Sequence, residues 1–154
     1  MRTFIVKLKS VKLFIALFII VISNTAFAQG PIFKTEDGAI RGYDPVAYFT
    51  EGKPVKGLKS FSHSWKGATF YFSSKKNLDL FKTNPQKYAP QFGGFCSYGV
   101  SRDYKVKSEP DAWTIVDGKL YLNYNTEVMS TWRKDTEGYI KKAKANWVAL
   151  ENKE

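Results

Sequence analysis

The chain has 154 residues, 24 of them Lys or Arg and 14 Asp or Glu, for a formal net charge of +10. That length supports one domain with a real core and is too short for two comfortable ones. One cysteine, Cys96, excludes a disulfide within the chain, and no basic block of five or more residues marks a nucleic-acid interface.

The first residues carry Arg2, Lys7, Lys9 and Lys12 and no acid, and an unbroken apolar run occupies residues 13–22. Ser23-Asn24-Thr25-Ala26-Phe27-Ala28 follows, with small residues at the two positions a signal peptidase reads. A basic head, an apolar stretch and an A-x-A site predict a secretory signal cleaved between Ala28 and Gln29. The run is too short for a spanning helix, which needs about 20 apolar residues. With no cysteine just after it, lipid anchoring by the bacterial lipoprotein route is not expected. Cleavage leaves 126 residues with a net charge of +6 and places the working form in the periplasm or outside the cell. A basic exported protein is expected to meet anionic lipid, glycan or another protein before nucleic acid.

Residues 29–41 read as a lead-in with little pattern. Gly42-Tyr43-Asp44-Pro45 is turn chemistry feeding the apolar stretch 46–49, and residues 51–58 read as a loop on glycine, proline and lysine. Phe61, His63 and Trp65 then alternate with Ser62 and Ser64, Lys66-Gly67 makes a turn, and residues 68–72 are aromatic and β-favouring. This predicts a β-hairpin with Phe61, His63 and Trp65 on one face. Ser74 caps a helix that buries Leu78 and Phe81 and ends at Asn84-Pro85, with a further turn through Pro90.

Gly93-Gly94 breaks the chain before Phe95-Cys96-Ser97-Tyr98, and residues 101–111 read as a polar loop. A second hairpin is predicted around Asp117-Gly118, with Leu120, Leu122 and Tyr124 on a single covered face. Asn125 caps a short helix through Trp132. Asp135 or Thr136 opens a last helix whose Ile140, Ala143, Trp147 and Leu150 form an apolar stripe. The order ββα then ββαα predicts an α+β fold, two small antiparallel hairpins covered by short helices in one compact domain.

The stretch His63-Ser64-Trp65-Lys66-Gly67-Ala68-Thr69-Phe70-Tyr71-Phe72-Ser73-Ser74, with Phe81, Asn84-Pro85 and Lys87-Tyr88, resembles the YHS domain. The resemblance covers roughly residues 42–90. Residues 91–154, with Phe92 to Tyr98 as a second signature, are similar to the extension of exported YHS-domain proteins. The resemblance implies a place beside metal transporters and metal-dependent proteins, with paired cysteines suspected of binding zinc or a similar ion. Those cysteine positions hold Ser73 and Asn77 in this chain, and neither supplies the thiolate that zinc or copper(I) favours.

Candidate chemistry rests on single residues. His63 is the only imidazole and Cys96 the only thiol; if they meet, with Asp44 or a tyrosine completing the set, they form a soft site for a copper or zinc ion. The bland alternative makes His63 a strand residue and Cys96 a small buried hydrophobe. A nucleophilic reading pairs His63 as base with Cys96, Asp44 or Asn77 orienting the imidazole. Aromatic residues, Tyr43, Tyr48, Tyr71, Phe95 and Tyr98 foremost, could instead line a pocket for an apolar or ring-bearing ligand. The expected function is that of a non-enzymatic metal-associated binding protein. Its alternative is an interaction module for a small ligand or an envelope protein, and no nucleic-acid partner is expected.

Overall fold

The computed structural model of the chain describes residues 32–153, so the expected export signal and its cleavage point lie outside the described residues. No helix of the described residues is long and apolar enough to cross a membrane. The lead-in is more ordered than its sequence pattern predicts. It holds two short antiparallel strands, β1 (Lys34–Thr35) and β2 (Gly38–Ala39), followed by a 3-10 turn over Ile40–Gly42. The cause is tertiary: Gly38 sits at φ +89°, and a Cβ there would lie 2.6 Å from the Thr69 carbonyl oxygen. Only glycine lets this ribbon lie flat on the next sheet.

Helix α1 (Ala47–Thr50) is a single turn that buries Ala47 and Tyr48. Strands β3 (Leu58–Trp65) and β4 (Ala68–Phe72) form the predicted hairpin, with His63 opposite Phe70 and Trp65 opposite Ala68. Phe61, His63 and Trp65 are half-buried while Ser62 and Ser64 face solvent, as the period-two pattern requires. Ser74 Oγ accepts from the Asn77 N–H to open α2 (Lys75–Thr83), and Asn84 caps the one-turn α3 (Pro85–Tyr88) in the same way.

Residues 95–100 show no helical pattern in sequence, yet α4 (Ser97–Ser101) forms there with Cys96 as its cap. Strand β5 (Glu109–Val116) starts earlier than expected and pairs with β6 (Lys119–Asn123), Trp113 opposite Leu122. Helices α5 (Thr126–Trp132) and α6 (Thr136–Leu150) begin at the predicted caps, Asn125 and Asp135. Helices and, among the described residues, three two-stranded antiparallel sheets make this an α+β fold.

The single covered face expected of β6 is corrected: Leu120, Tyr121, Leu122 and Asn123 are all buried, and Tyr124 is 37% exposed. Strand β6 runs between two apolar clusters. Leu120 and Leu122 join Phe70, Phe72 and Phe81 in the first, while Tyr121 joins Trp132, Ala143 and Leu150 in the second. A strand covered on both faces loses the alternation that a half-buried one shows.

Candidate functional site

The three residues expected to share a metal are held apart by different parts of this architecture. Asp44 is fully buried. Its Oδ1 accepts from the N–H groups of Val46 at 2.8 Å and Ala47 at 3.3 Å, which anchors the start of α1. Its Oδ2 accepts from the Ser73 N–H at 2.7 Å, the Ser73 hydroxyl at 2.8 Å and Asn77 Nδ2 at 2.7 Å. A carboxylate with both oxygens occupied by protein donors is a structural anchor. The two positions that resemble the paired cysteines thus converge on Asp44.

His63 belongs to the aromatic layer of the first cluster. Its ring meets Phe81 edge-on, with centroids 6.2 Å apart and planes at 68°. Trp65 meets the same phenylalanine at 5.9 Å. No hydrogen bond joins His63 to the thiol among the described residues, and His63 is absent from the walls of the pocket that the thiol faces.

Cys96 lies against the second cluster's side of β6 and is 1% exposed. Its Sγ accepts from the N–H groups of Tyr124 at 3.2 Å and Gly99 at 3.4 Å, and the thiol donates to Asn123 Oδ1 at 3.8 Å. Burial pushes the thiol pKa up, and the nearby N–H groups of Gly99, Tyr124 and Tyr98 oppose that shift without reversing it. A thiol held neutral, with no imidazole beside it, lacks what a catalytic cysteine needs. The nucleophilic arrangement is therefore not assembled.

A pocket of about 240 Å³ opens over this thiol, walled by Cys96, Tyr98, Tyr104, Val106, Tyr124 and Val128. Tyr104 is 48% exposed on its rim. Two cations stack on its tyrosines. The Arg102 guanidinium sits 5.1 Å from the Tyr98 ring and donates to its hydroxyl at 2.9 Å, and Lys107 lies 5.3 Å from the Tyr124 ring. That contact with Tyr98 raises the pKa of Arg102, which stays charged.

Of the five aromatics expected to line a pocket, this one uses only Tyr98. Tyr48 is buried in the first cluster, its hydroxyl donating to the Pro110 carbonyl at 3.0 Å and its ring 5.3 Å from Trp113. Tyr43 packs on that cluster under the Lys56 ammonium, and Tyr71 closes against Gly38 and Gly57. Phe95 lies between Phe33 and Trp147. Tyr104 and Val106 were hidden in a segment that reads as polar loop. Their signal was the alternation Tyr104-Lys105-Val106-Lys107, and the Val106 carbonyl accepts from the Cys96 N–H at 3.0 Å, which fixes the segment beside the thiol.

A shared site of His63, Cys96 and Asp44 is thereby corrected. Among the described residues no three His, Cys, Asp or Glu side chains form a group that could hold a metal ion. The donor set does not fit zinc, whose sites use three or four protein ligands.

In comparison with known families, a model described as YHS domain matches residues 46–92. No curated protein and no solved structure matches the chain.

Proposed function

We propose that this chain, which carries a YHS domain over residues 46–92, is a non-enzymatic binding protein working outside the cytoplasm. Its ligand is a small, ring-bearing apolar molecule seated over Cys96. The observation that carries this reading is the pocket itself: three tyrosines and two valines around a neutral thiol, with Arg102 and Lys107 stacked on two of the tyrosines. Apolar walls with a few placed polar groups are the usual make-up of a small-ligand site. Arg102, which no carboxylate pairs among the described residues, favours a ligand with an acidic group at its outer end.

The YHS domain is associated with metal-related proteins. A second reading, copper(I) held at the thiol, is favoured by one observation, that Cys96 faces the pocket. One soft ligand that burial keeps protonated makes it the weaker of the two.

The test is a titration with the fluorescent probe anilinonaphthalene sulfonate, which has fused rings and one acid group. It is run alongside copper(I), copper(II) and zinc, on the wild type and on Tyr104→Ala, Cys96→Ala and His63→Ala. The expected result is saturable probe binding that weakens about tenfold in Tyr104→Ala, the equivalent of 1.4 kcal/mol, and survives in Cys96→Ala. Tight uptake of one ion, lost in Cys96→Ala, would move the assignment to the second reading. Probe binding that is absent or indifferent to Tyr104 would overturn the first.

A further inference from the structure

A second cleft, of about 380 Å³, lies where the β3–β4 turn, the loop after α3 and the end of α6 meet. Its aromatic walls are Trp65, Phe92 and Trp147. Both tryptophans are half-buried, one presented by the hairpin and the other by α6. Polar residues share the lining: Lys66, whose ammonium lies 4.9 Å over the Trp65 ring, with Lys119, Gln86, Gln91 and Glu151. None of those three charged groups takes part in a salt bridge among the described residues. The floor includes Phe92 at φ +54°, a left-handed conformation that a bulky residue rarely adopts. Such strain concentrates at binding sites, where the surrounding fold holds it in place.

The chemistry of this lining narrows the ligand. A wholly apolar molecule would strip water from two ammoniums, two amides and a carboxylate without replacing it. A compact phosphate would pair with the lysines alone and leave the indole faces and both amides without a partner. A sugar ring meets every element at once. Its C–H face packs on an indole, its hydroxyls both donate and accept toward the amides and Glu151, and an acidic substituent reaches the lysines. We infer that this cleft binds an acidic saccharide, a hexuronic acid or a short chain of them. The site is separate from the Cys96 pocket and shares no lining residue with it.

Tetragalacturonate is the probe, with its fully methyl-esterified form as the neutral counterpart. Binding is followed by tryptophan fluorescence and calorimetry on the full protein. The acidic tetramer should bind saturably and the ester more weakly. Lys119→Ala should weaken the acidic tetramer about threefold, the size of an exposed charge pair, and Trp147→Ala about tenfold or more, as for a central aromatic contact. Trp147 also packs on Phe92 and Phe95, so Gln91→Ala serves as a milder probe of the same wall and should weaken both tetramers alike. Lys134→Ala, outside the cleft, and Tyr104→Ala, in the other pocket, should change nothing. No saturable binding of either tetramer would overturn the inference. So would an equal loss in Lys134→Ala and Lys119→Ala, which would reduce the effect to net charge.

Discussion

Asn77 donates from Nδ2 to Asp44 Oδ2 across 2.7 Å, and Ser73 donates twice to the same oxygen. This cage ties three elements together: the turn before α1, the end of β4 and the first turn of α2. Asp44→Asn replaces an acceptor by a donor that would face the Asn77 amide and the Ser73 N–H. Leaving buried donors without an acceptor should cost roughly 3 kcal/mol, in the range for breaking a buried charged network. Thermal unfolding should show a midpoint lower by about 10 °C. Asn77→Ala, which removes one donor and leaves the carboxylate otherwise satisfied, should cost about half as much. A midpoint unmoved in Asp44→Asn would refute the anchoring role.

The same cage occupies the place where the YHS resemblance would put paired cysteines, and the arrangement can be inverted. The Ser73 and Asn77 side chains both reach Asp44 Oδ2. In Ser73→Cys with Asn77→Cys, two thiolates would stand beside one carboxylate, a three-ligand set of the kind zinc accepts. Made in a Cys96→Ala background, the double variant should take up about one zinc and gain thermal stability from it, as ligand binding to the native state requires. The Cys96→Ala parent should not. A double variant that folds and ignores zinc would show that the geometry around Asp44 cannot be converted.

How much of this was readable in the sequence depends on how local the signal is. The β3–β4 hairpin, and the caps at Ser74, Asn84, Asn125 and Asp135, are written in adjacent residues and recur in the structure. The β1–β2 ribbon was missed because it is held by the contact of Gly38 with Thr69, far along the chain. The double burial of β6 was missed for the same kind of reason, since its two faces meet clusters built from distant helices. At the candidate site, Cys96 and Tyr98 were identifiable by residue type. Their partners Tyr104 and Val106 came from a segment whose lysines masked its alternation. His63 and Cys96 are grouped because each is the only residue of its type, with Asp44 added to complete the set. Residue type says nothing about which neighbours have already used a side chain's hydrogen-bonding capacity.

Alkali should destabilise the fold in two stages. Burial raises the Cys96 thiol above its ordinary value of 9.0. The Tyr48 hydroxyl is raised well above its ordinary 10.0 by burial first and Asp111 second, and Tyr121 is raised by burial and then Asp117. For an acid with a higher pKa folded than unfolded, the native state holds the proton longer. Stability is therefore fully present below the unfolded pKa and falls as pH rises from that value toward the folded one. Denaturant midpoints should be flat across neutral pH, begin to fall near the ordinary thiol value and fall more steeply above the ordinary tyrosine value. Cys96→Ala should remove the first decline and Tyr48→Phe should soften the second, though Tyr48→Phe also loses the bond to Pro110 at every pH. A curve for Cys96→Ala parallel to wild type would contradict the assignment of the first stage.

Phe81 is where the reading of His63 is most directly tested. Its ring meets Phe70 at 5.0 Å, Phe72 at 5.1 Å, Trp65 at 5.9 Å and His63 at 6.2 Å, and it has no exposed surface. Truncating it to alanine leaves a cavity bounded by a two-stranded sheet and a short helix, which can collapse only partly. Phe81→Ala should cost about 4 kcal/mol, a large part of the 5–15 kcal/mol typical of a whole domain. If His63 is a packing residue, His63→Leu keeps a similar volume against Phe81 and should change stability by under about 1.5 kcal/mol. A double-mutant cycle between His63→Ala and Phe81→Ala should then give a coupling of about 1 kcal/mol, the scale of an aromatic pair. Zero coupling, together with loss of metal or ligand binding in His63→Leu, would take His63 out of the core layer and return it to the chemistry of the site.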